Sequence, residues 1–461
     1  MRGKTTQTDI SQLLGTAPVG RLLIRLAVPT VVAQLVNLLY NIVDRIYIGH
    51  MPEVGRVALT GVGLCFPVIT LIAAFTMLIA QGGAPRAAIA MGRGDNDAAE
   101  KIMGSCFTCL IAAAVALTAA FWAFGEPLLW LFGCSGETIV YALPYMRIYS
   151  SGSVFVMLAL GMNLFITTQG FTGVSMRTVL IGAISNIILD PIFIYVLGMG
   201  VQGAAVATVI SQAVSGVWVF CFLIGKKTKL RLRREQLRPH GAVMLPVLAL
   251  GVSPFVMQTT EALLNISFNS SLQRYGGDIA VGAMTVAGTV MQMLWIPLQG
   301  VGQGAQPIIS YNYGARNARR VREAFKALLK ICLGFTLSFW AAAEALPQVF
   351  IRIFNNDPAL VDTAVWAMRV YIASFGLFGI QTAVQQTFIA LGKAKASLFI
   401  ACMRKVILLI PLIFILPHFF ENKVFAVFLA EPVSDLISIT VAAVTFFFVF
   451  RSAMAELENS R

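Results

Sequence analysis

Apolar runs of about twenty residues or more, separated by short polar connections, recur along the whole chain, and they constrain its fold more than any single motif. A helix of that length spans the hydrocarbon core of a bilayer, about 30 Å thick. In lipid every backbone N–H and C=O has to be satisfied within a helix or a closed barrel, and these runs are too long for barrel strands. Composition agrees, with 58% apolar and 12% charged residues, where a water-facing domain carries about 25% charged. A soluble enzyme is excluded, and the expected class is an all-α polytopic membrane protein.

Twelve transmembrane helices are expected, over 27–49, 58–80, 101–123, 141–168, 178–198, 203–225, 242–268, 279–305, 324–346, 364–390, 397–418 and 424–450. Pro29 and Pro254 fall near the starts of the first and seventh, where a proline kinks a helix without excluding it. The long fourth and tenth runs leave their ends open to trimming. The N-terminus carries Arg2, Lys4, Asp9, Arg21 and Arg25 before the first long run and lacks a recognisable signal peptide.

The net charge of +13 comes from basic residues between the runs. Lys226, Lys227, Lys229, Arg231, Arg233, Arg234 and Arg238 follow the sixth run, and Arg86, Arg93, Arg316, Arg319, Arg320, Arg322, Lys393 and Lys395 follow the second, eighth and tenth. With twelve spans these lie on one side, so the positive-inside rule puts both termini in the cytoplasm of a multi-pass cell-membrane protein. Basic charge is thereby assigned to topology rather than to nucleic acid, with contact to anionic membrane lipids as the alternative for the seven-residue set. Cys106 and Cys109 have metal-like spacing, but with no second pair or nearby histidine they read as packing. No cofactor or metal is expected.

The chain repeats itself. Gln81-Gly-Gly-Ala-Pro85 precedes Met91-Gly-Arg-Gly94, and Gln303-Gly-Ala-Gln-Pro307 precedes Tyr313-Gly-Ala-Arg316 at the same spacing; Gln169-Gly170 stands opposite Leu391-Gly392 at that same offset. This argues for two six-helix lobes, 1–225 and 242–461, joined by a basic cytoplasmic linker, 226–241. With an even number of spans in each, the internal repeat is expected in parallel orientation, the geometry of alternating access about a central cavity. Glycines at 82, 83, 302, 304 and 392 are expected at close helix approaches or tight exits. Gly92-Arg-Gly94 lacks the remaining residues of a phosphate loop, so direct ATP drive is not expected.

Carboxylates inside spans cost several kcal/mol on the gentler insertion scales, which marks them as functional. Asp44 sits late in the first run, Asp190 in the fifth and Glu261 in the seventh. A carboxyl group facing a low-dielectric cavity can take up and release a proton, as an antiporter requires. For Asp190 the alternative is a structural network with Asn186, four residues earlier on the same helical face. For Asp44 it is an interfacial pair with Arg45. Glu261 is divided among substrate counter-charge, proton coupling and a structural hydrogen bond. Asn163, Gln169 and Thr208 are further polar residues in first-half spans. Tyr40, Phe255, Met257, Met291, Met293 and Trp295 are candidates to line a soft cavity for hydrophobic organic cations.

Pro29, Asn41-Ile-Val-Asp44 with Tyr47-Ile-Gly49, the paired Gln-Gly…Pro segments, Tyr311-Asn-Tyr-Gly314-Ala-Arg316 and Asn186-Ile-Ile-Leu-Asp190-Pro191 together resemble the prokaryotic multidrug and toxic compound extrusion family over nearly the whole chain. The resemblance implies a two-lobe efflux protein, functional as a monomer, exchanging protons or sodium ions for organic cations. It places a coupling network on Asp44, Asn163, Asn186, Asp190 and Thr208, and matches Glu261 to an acidic position used in several relatives. Some sodium-coupled relatives carry an aspartate in the tenth helix, whereas Gln381 to Gln386 contains no carboxylate, which favours protons. The competing readings are an exporter of one endogenous metabolite, a flippase for lipid-linked intermediates, disfavoured by arginines lying in connections, and a non-transporting receptor or scaffold.

Overall fold

The computed structural model describes residues 13–51, 54–352 and 358–459; Arg2, Lys4 and Asp9 lie outside them. The chain is helical almost throughout: α1 (Val19–Gly49), a short helix Gly55–Leu64 leading into α2 (Phe66–Gly92), α3 (Asn96–Leu131), α4 (Ile139–Ser151), α5 (Ser153–Thr168), α6 (Thr172–Pro191) and α7 (Gly200–Ile224) form the first half. The second half comprises α8 (Gly241–Gly314), α9 (Ala318–Ala345), α10 (Pro358–Tyr371), α11 (Phe378–Ala390), α12 (Ala394–Cys402), which continues through a π-helical stretch Met403–Leu409, and α13 (Lys423–Asn459).

The expected count of twelve transmembrane helices is corrected. Among the described residues nine helices are long and apolar enough to cross a membrane, or eleven if each of two bent pairs counts as one span. The bent pairs are α4 with α5, at 53°, and 360–371 with 375–390, at 43°, in the two runs whose ends were open. The seventh and eighth expected spans form one element, α8, of 74 residues. At 1.5 Å per residue a straight helix of that length would run roughly 110 Å, far beyond a bilayer. It is interrupted at Gly277, whose φ of 63° and ψ of −159° belong to a region that only glycine occupies readily. Twelve separate helices are therefore not found, and the parallel orientation deduced from them is withdrawn. The first span also begins earlier than expected, at Val19, leaving Pro29 inside α1.

The repeat survives in local geometry. Asp95 caps α3 by accepting from the Ala98 N–H (2.9 Å), and Asn317, at the offset that relates Gln81 to Gln303, caps α9 by accepting from the Arg320 N–H (3.2 Å). Just before these caps, Gly94 and Arg316 both have positive φ, 83° and 55°, and the exits at Gly170 and Gly392 match likewise. One sequence offset thus carries the same turn chemistry twice.

Among the described residues two large apolar cores result, beside a small third cluster of Val384, Phe388, Ile400, Ala442 and Phe446. One spans Ile48 to Val247; the other gathers Leu264 to Leu457 together with Leu14, Val19, Leu22, Leu23, Leu26 and Ala27. The first turns of α1 thus belong to the second core, and the first turns of α8, at Met244 and Val247, to the first. Between the cores α2 meets α8 backbone to backbone. A Cβ at Gly82 would fall on the Val247 carbonyl, one at Gly251 on the Leu78 carbonyl, one at Gly92 on the Tyr311 carbonyl and one at Gly314 on the Ile89 carbonyl.

The segments that lead into each half cross over. The Gln169 side-chain oxygen accepts from the Thr228 hydroxyl (2.8 Å) and from the Lys229 and Leu230 N–H groups (both 2.9 Å), while Glu100 accepts from the Arg231 N–H and pairs with Arg233. The linker is therefore docked on the first half, a role beyond topology. Reciprocally, Asn312 donates to the Leu14 carbonyl and Arg320 to those of Leu14 and Ala17, which ties the chain start to the second half. Replacing the residue in the glycine-only conformation tests the break in α8: Gly277→Ala should lower stability by about 1–3 kcal/mol, read as a lower melting temperature of the purified protein, whereas Gly288→Ala, which meets no neighbour, should not.

Candidate functional site

Two polar sites are built into the apolar frame, one in each half. In the first half, Pro191 has no N–H to give to the preceding turn, and the chain widens into a π-helical stretch, Ile192–Val196, directly after Asp190. Asp190 is fully buried there. Asn186, one turn earlier on the same face, donates to the Asp190 carboxylate (3.0 Å) and lies 3.4 Å from the Thr208 hydroxyl on α7. The Asp44 carboxyl on α1 faces that of Asp190. The expected Asp44–Arg45 pair is not formed: Arg45 turns to the Phe66 ring, 5.9 Å from its centroid, and among the described residues Asp44 has no salt-bridge partner.

Asn163 stands on α5 and donates to the Ser175 carbonyl (3.2 Å), beside a Thr167 hydroxyl bonded to Ser175 (2.9 Å). With Tyr40, Gln34, Gln212 and Gln303 it lines a cavity of about 100 Å³. That is room for water or an ion, whereas drug-sized ligands occupy about 300–1,000 Å³. Four acceptor oxygens of the expected network, one each on Asp44, Asn163, Asn186 and Asp190, are buried without a hydrogen-bond partner. Buried acceptors are ordinarily satisfied, so this set is suited to a donor from outside the chain: a proton, a water or a cation.

Glu261 is not part of this cluster. It pairs in the second half with Lys405, whose ammonium also donates to the Met257 carbonyl (3.0 Å). Beside them the Arg404 guanidinium donates to Asp435 (2.7 Å) and Glu431 (2.8 Å) and lies 4.7 Å over the Phe378 ring. Arg404, Lys405, Glu431 and Asp435 were not singled out from the sequence, although all four fall inside apolar runs where the cost of burying charge applied to them as it did to Asp190. Arg404 stands inside a span, an exception to the expected concentration of arginines in connections.

The soft-cavity candidates are dispersed. Phe255 packs edge-on against Phe75 across the halves (5.2 Å), Met257 accepts a weak bond from Gln385 (3.6 Å), Trp295 leans on Phe378 (5.4 Å), and Met291 and Trp295 pack on the second core. None of these four lines the cavity beside Tyr40. Met293 is exposed. The tenth-run glutamines form neutral networks instead: Gln385 donates to Ser253 and Ser397 (both 2.9 Å), and Gln386 to Gln299 (3.1 Å).

The MatE family profile matches residues 29–192 and 254–415. The multidrug export protein MepA of Staphylococcus haemolyticus is 24% identical over 423 residues, covering 90% of this chain and 91% of that protein. MepA of Staphylococcus aureus strain NCTC 8325 is 22% identical, covering 92% and 94%. Among solved structures, a MATE protein in the bent conformation superposes with a TM-score of 0.90 at 23% identity over 99% of both chains, and an outward-facing multidrug resistance MATE family transporter with 0.89 at 23%, covering 99% and 100%.

The second-half charge cluster generates its own test. Arg404→Met strands two buried carboxylates and should cost about 3–5 kcal/mol of stability. Thermal melting should show the loss, and the triple replacement Arg404→Met, Glu431→Gln, Asp435→Asn should recover most of it.

Proposed function

The chain belongs to the MatE family of transporters, and from that premise we propose that it exports hydrophobic organic cations in exchange for protons. It is a multidrug efflux transporter of the secondary-active kind, working by alternating access, and not an enzyme. The observation that carries the choice of proton is the Asp44–Asp190 pair with its unpartnered oxygens. Two negative charges facing each other in a dry site repel, and one proton shared between them removes the repulsion. In the tenth run the glutamines bond only neutral partners, Gln385 to Ser253 and Ser397 and Gln386 to Gln299, which supports protons over sodium at that position.

In the proposed cycle the Asp44–Asp190 pair takes up a proton from the outside, Asn186 and Thr208 hold the carboxylates in place, and Asn163 and Tyr40 line the small cavity beside them. Protonation lowers the attraction for a cation bound between the halves, which leaves; proton release on the inside restores it. Proton and drug are thus coupled through one pool of negative charge. We assign the closed glycine contact between α2 and α8 to the cytoplasmic side. The docked linker, Leu14 ahead of α1 and, through the Arg322–Glu458 pair (2.7 Å), the last turn of α13 lie together at that end with the basic residues 316–322. Both termini are then cytoplasmic, with 1–225 and 242–461 as the moving lobes and 226–241 as their linker. One chain supplies both sites, so the monomer is the transport unit.

Purified protein in liposomes tests the reading through ethidium efflux driven separately by a proton and a sodium gradient. Proton-driven exchange should fall at least tenfold in Asp190→Asn, about 1.4 kcal/mol or more of lost coupling, with melting unchanged; a sodium gradient acting alone on the wild type would overturn the ion assignment. Gly314→Val, which places a side chain on the Ile89 carbonyl, should hold that end apart and reduce exchange to background while leaving ethidium binding intact.

A further inference from the structure

We propose that Lys405 is an internal counter-cation that holds the Glu261 carboxylate until a substrate cation displaces it, which makes Lys405 a specificity-determining residue of the second half. The proposal deepens the cation-export reading and rests on it.

The pair is asymmetric. The Lys405 side chain is 4% exposed and that of Glu261 53%. The ammonium therefore reaches the carboxylate from the protein interior, anchored by the Met257 carbonyl (3.0 Å), while the open side of the carboxylate is left for a second cation. That open side is polar. Gln258, Glu261, Asn265 and Asn269 recur at i, i+3, i+7 and i+11, so they form one stripe along α8; the last three are exposed, and Asn265 donates to the Glu261 carbonyl (3.0 Å). Exposed Leu263 and Ile266 sit off the stripe, as lipid-facing residues do. A cation thus meets Glu261 along a hydrophilic path.

Neighbouring charge explains why Lys405, rather than Arg404, is the exchangeable base. Arg404 is spent on Asp435 and Glu431 with two short bonds and on the Phe378 face. Lys405 has one carboxylate partner on a flexible four-carbon stem. The charge count also fits exchange. Three acids, Glu261, Glu431 and Asp435, stand against two bases, leaving one negative charge. When a monocation takes Glu261, the remaining Glu431, Asp435, Arg404 and Lys405 are balanced two against two, so the displaced ammonium can stay buried beside Glu431 without an uncompensated charge. The ligand class is an organic monocation with an accessible positive centre, such as an amine, amidine or iminium.

The test is equilibrium binding of ethidium to the purified protein, with melting temperature as the control for folding. Lys405→Met removes the competitor and should tighten binding about tenfold, because the carboxylate is no longer occupied. Glu261→Gln should weaken it about tenfold, and the double variant should bind like Glu261→Gln, the gain from losing Lys405 having vanished with its target. Unchanged or weaker binding in folded Lys405→Met, or a gain that persists in the double variant, would overturn the proposal. If Lys405→Met does not fold, Glu261→Gln decides alone, since unaltered affinity there means the pair is structural. Wild type that exchanges ethidium while both variants bind it normally sinks this proposal and leaves the export reading standing; wild type that neither binds nor moves ethidium sinks both.

Discussion

Backbone contact between α2 and α8 is the constraint on which the rest of the molecule depends. Two helices ordinarily keep their axes about 8–10 Å apart because side chains separate them. At Gly82, Gly92, Gly251 and Gly314 there is no side chain, and carbonyls of the facing helix occupy the space a Cβ would take. Lipid gives helices no hydrophobic reason to associate, so dispersion between such closely fitted surfaces carries the association. The arrangement ties the halves at one end through backbone surface, with Phe75 and Phe255 packed edge-on between the same two helices. A contact made of smooth backbone surface can part and re-form cleanly, as a transporter's gate has to.

The halves treat charge in opposite ways. The first keeps a pair of carboxyls and two amide oxygens short of donors, an arrangement that is costly unless something from outside completes it. The second gathers three acids against two bases and satisfies nearly all of them internally. One half is therefore poised to respond to what arrives and the other is largely self-neutralised. Repeated helices with the same caps and turns have been given different electrostatic tasks.

The membrane class, the repeat, its glycines and the Asn186–Asp190 face were legible in the sequence because each follows from local rules: hydropathy, residue offset and helical period. The number and limits of the helices were not. Residues 269–278 are polar and read as a gap between two spans, yet the helix runs through them to a single break at Gly277, and a bend at Gly152 divides a run that read as one span. Arg404, Lys405, Glu431 and Asp435 escaped because their neighbours are strongly apolar and their compensation comes from residues distant in the chain. The reach of Asp44 to Asp190 is likewise a property of packing between α1 and α6. The aromatic and methionine candidates are spread over several contacts, with Tyr40 at the cavity, because period alone does not say which face of a membrane helix meets a cavity and which meets another helix.

The crossed starts of α1 and α8 bear on how the protein is made. Leu14 to Ala27 complete a core whose other members begin at Leu264, so α1 cannot reach its final packing until most of the residues after it have been made. The early turns of α8, in turn, close the core of the half made before them. Neither half is then a finished folding unit, and the two cores are expected to mature together, late, with α1 held provisionally in lipid until its partners arrive.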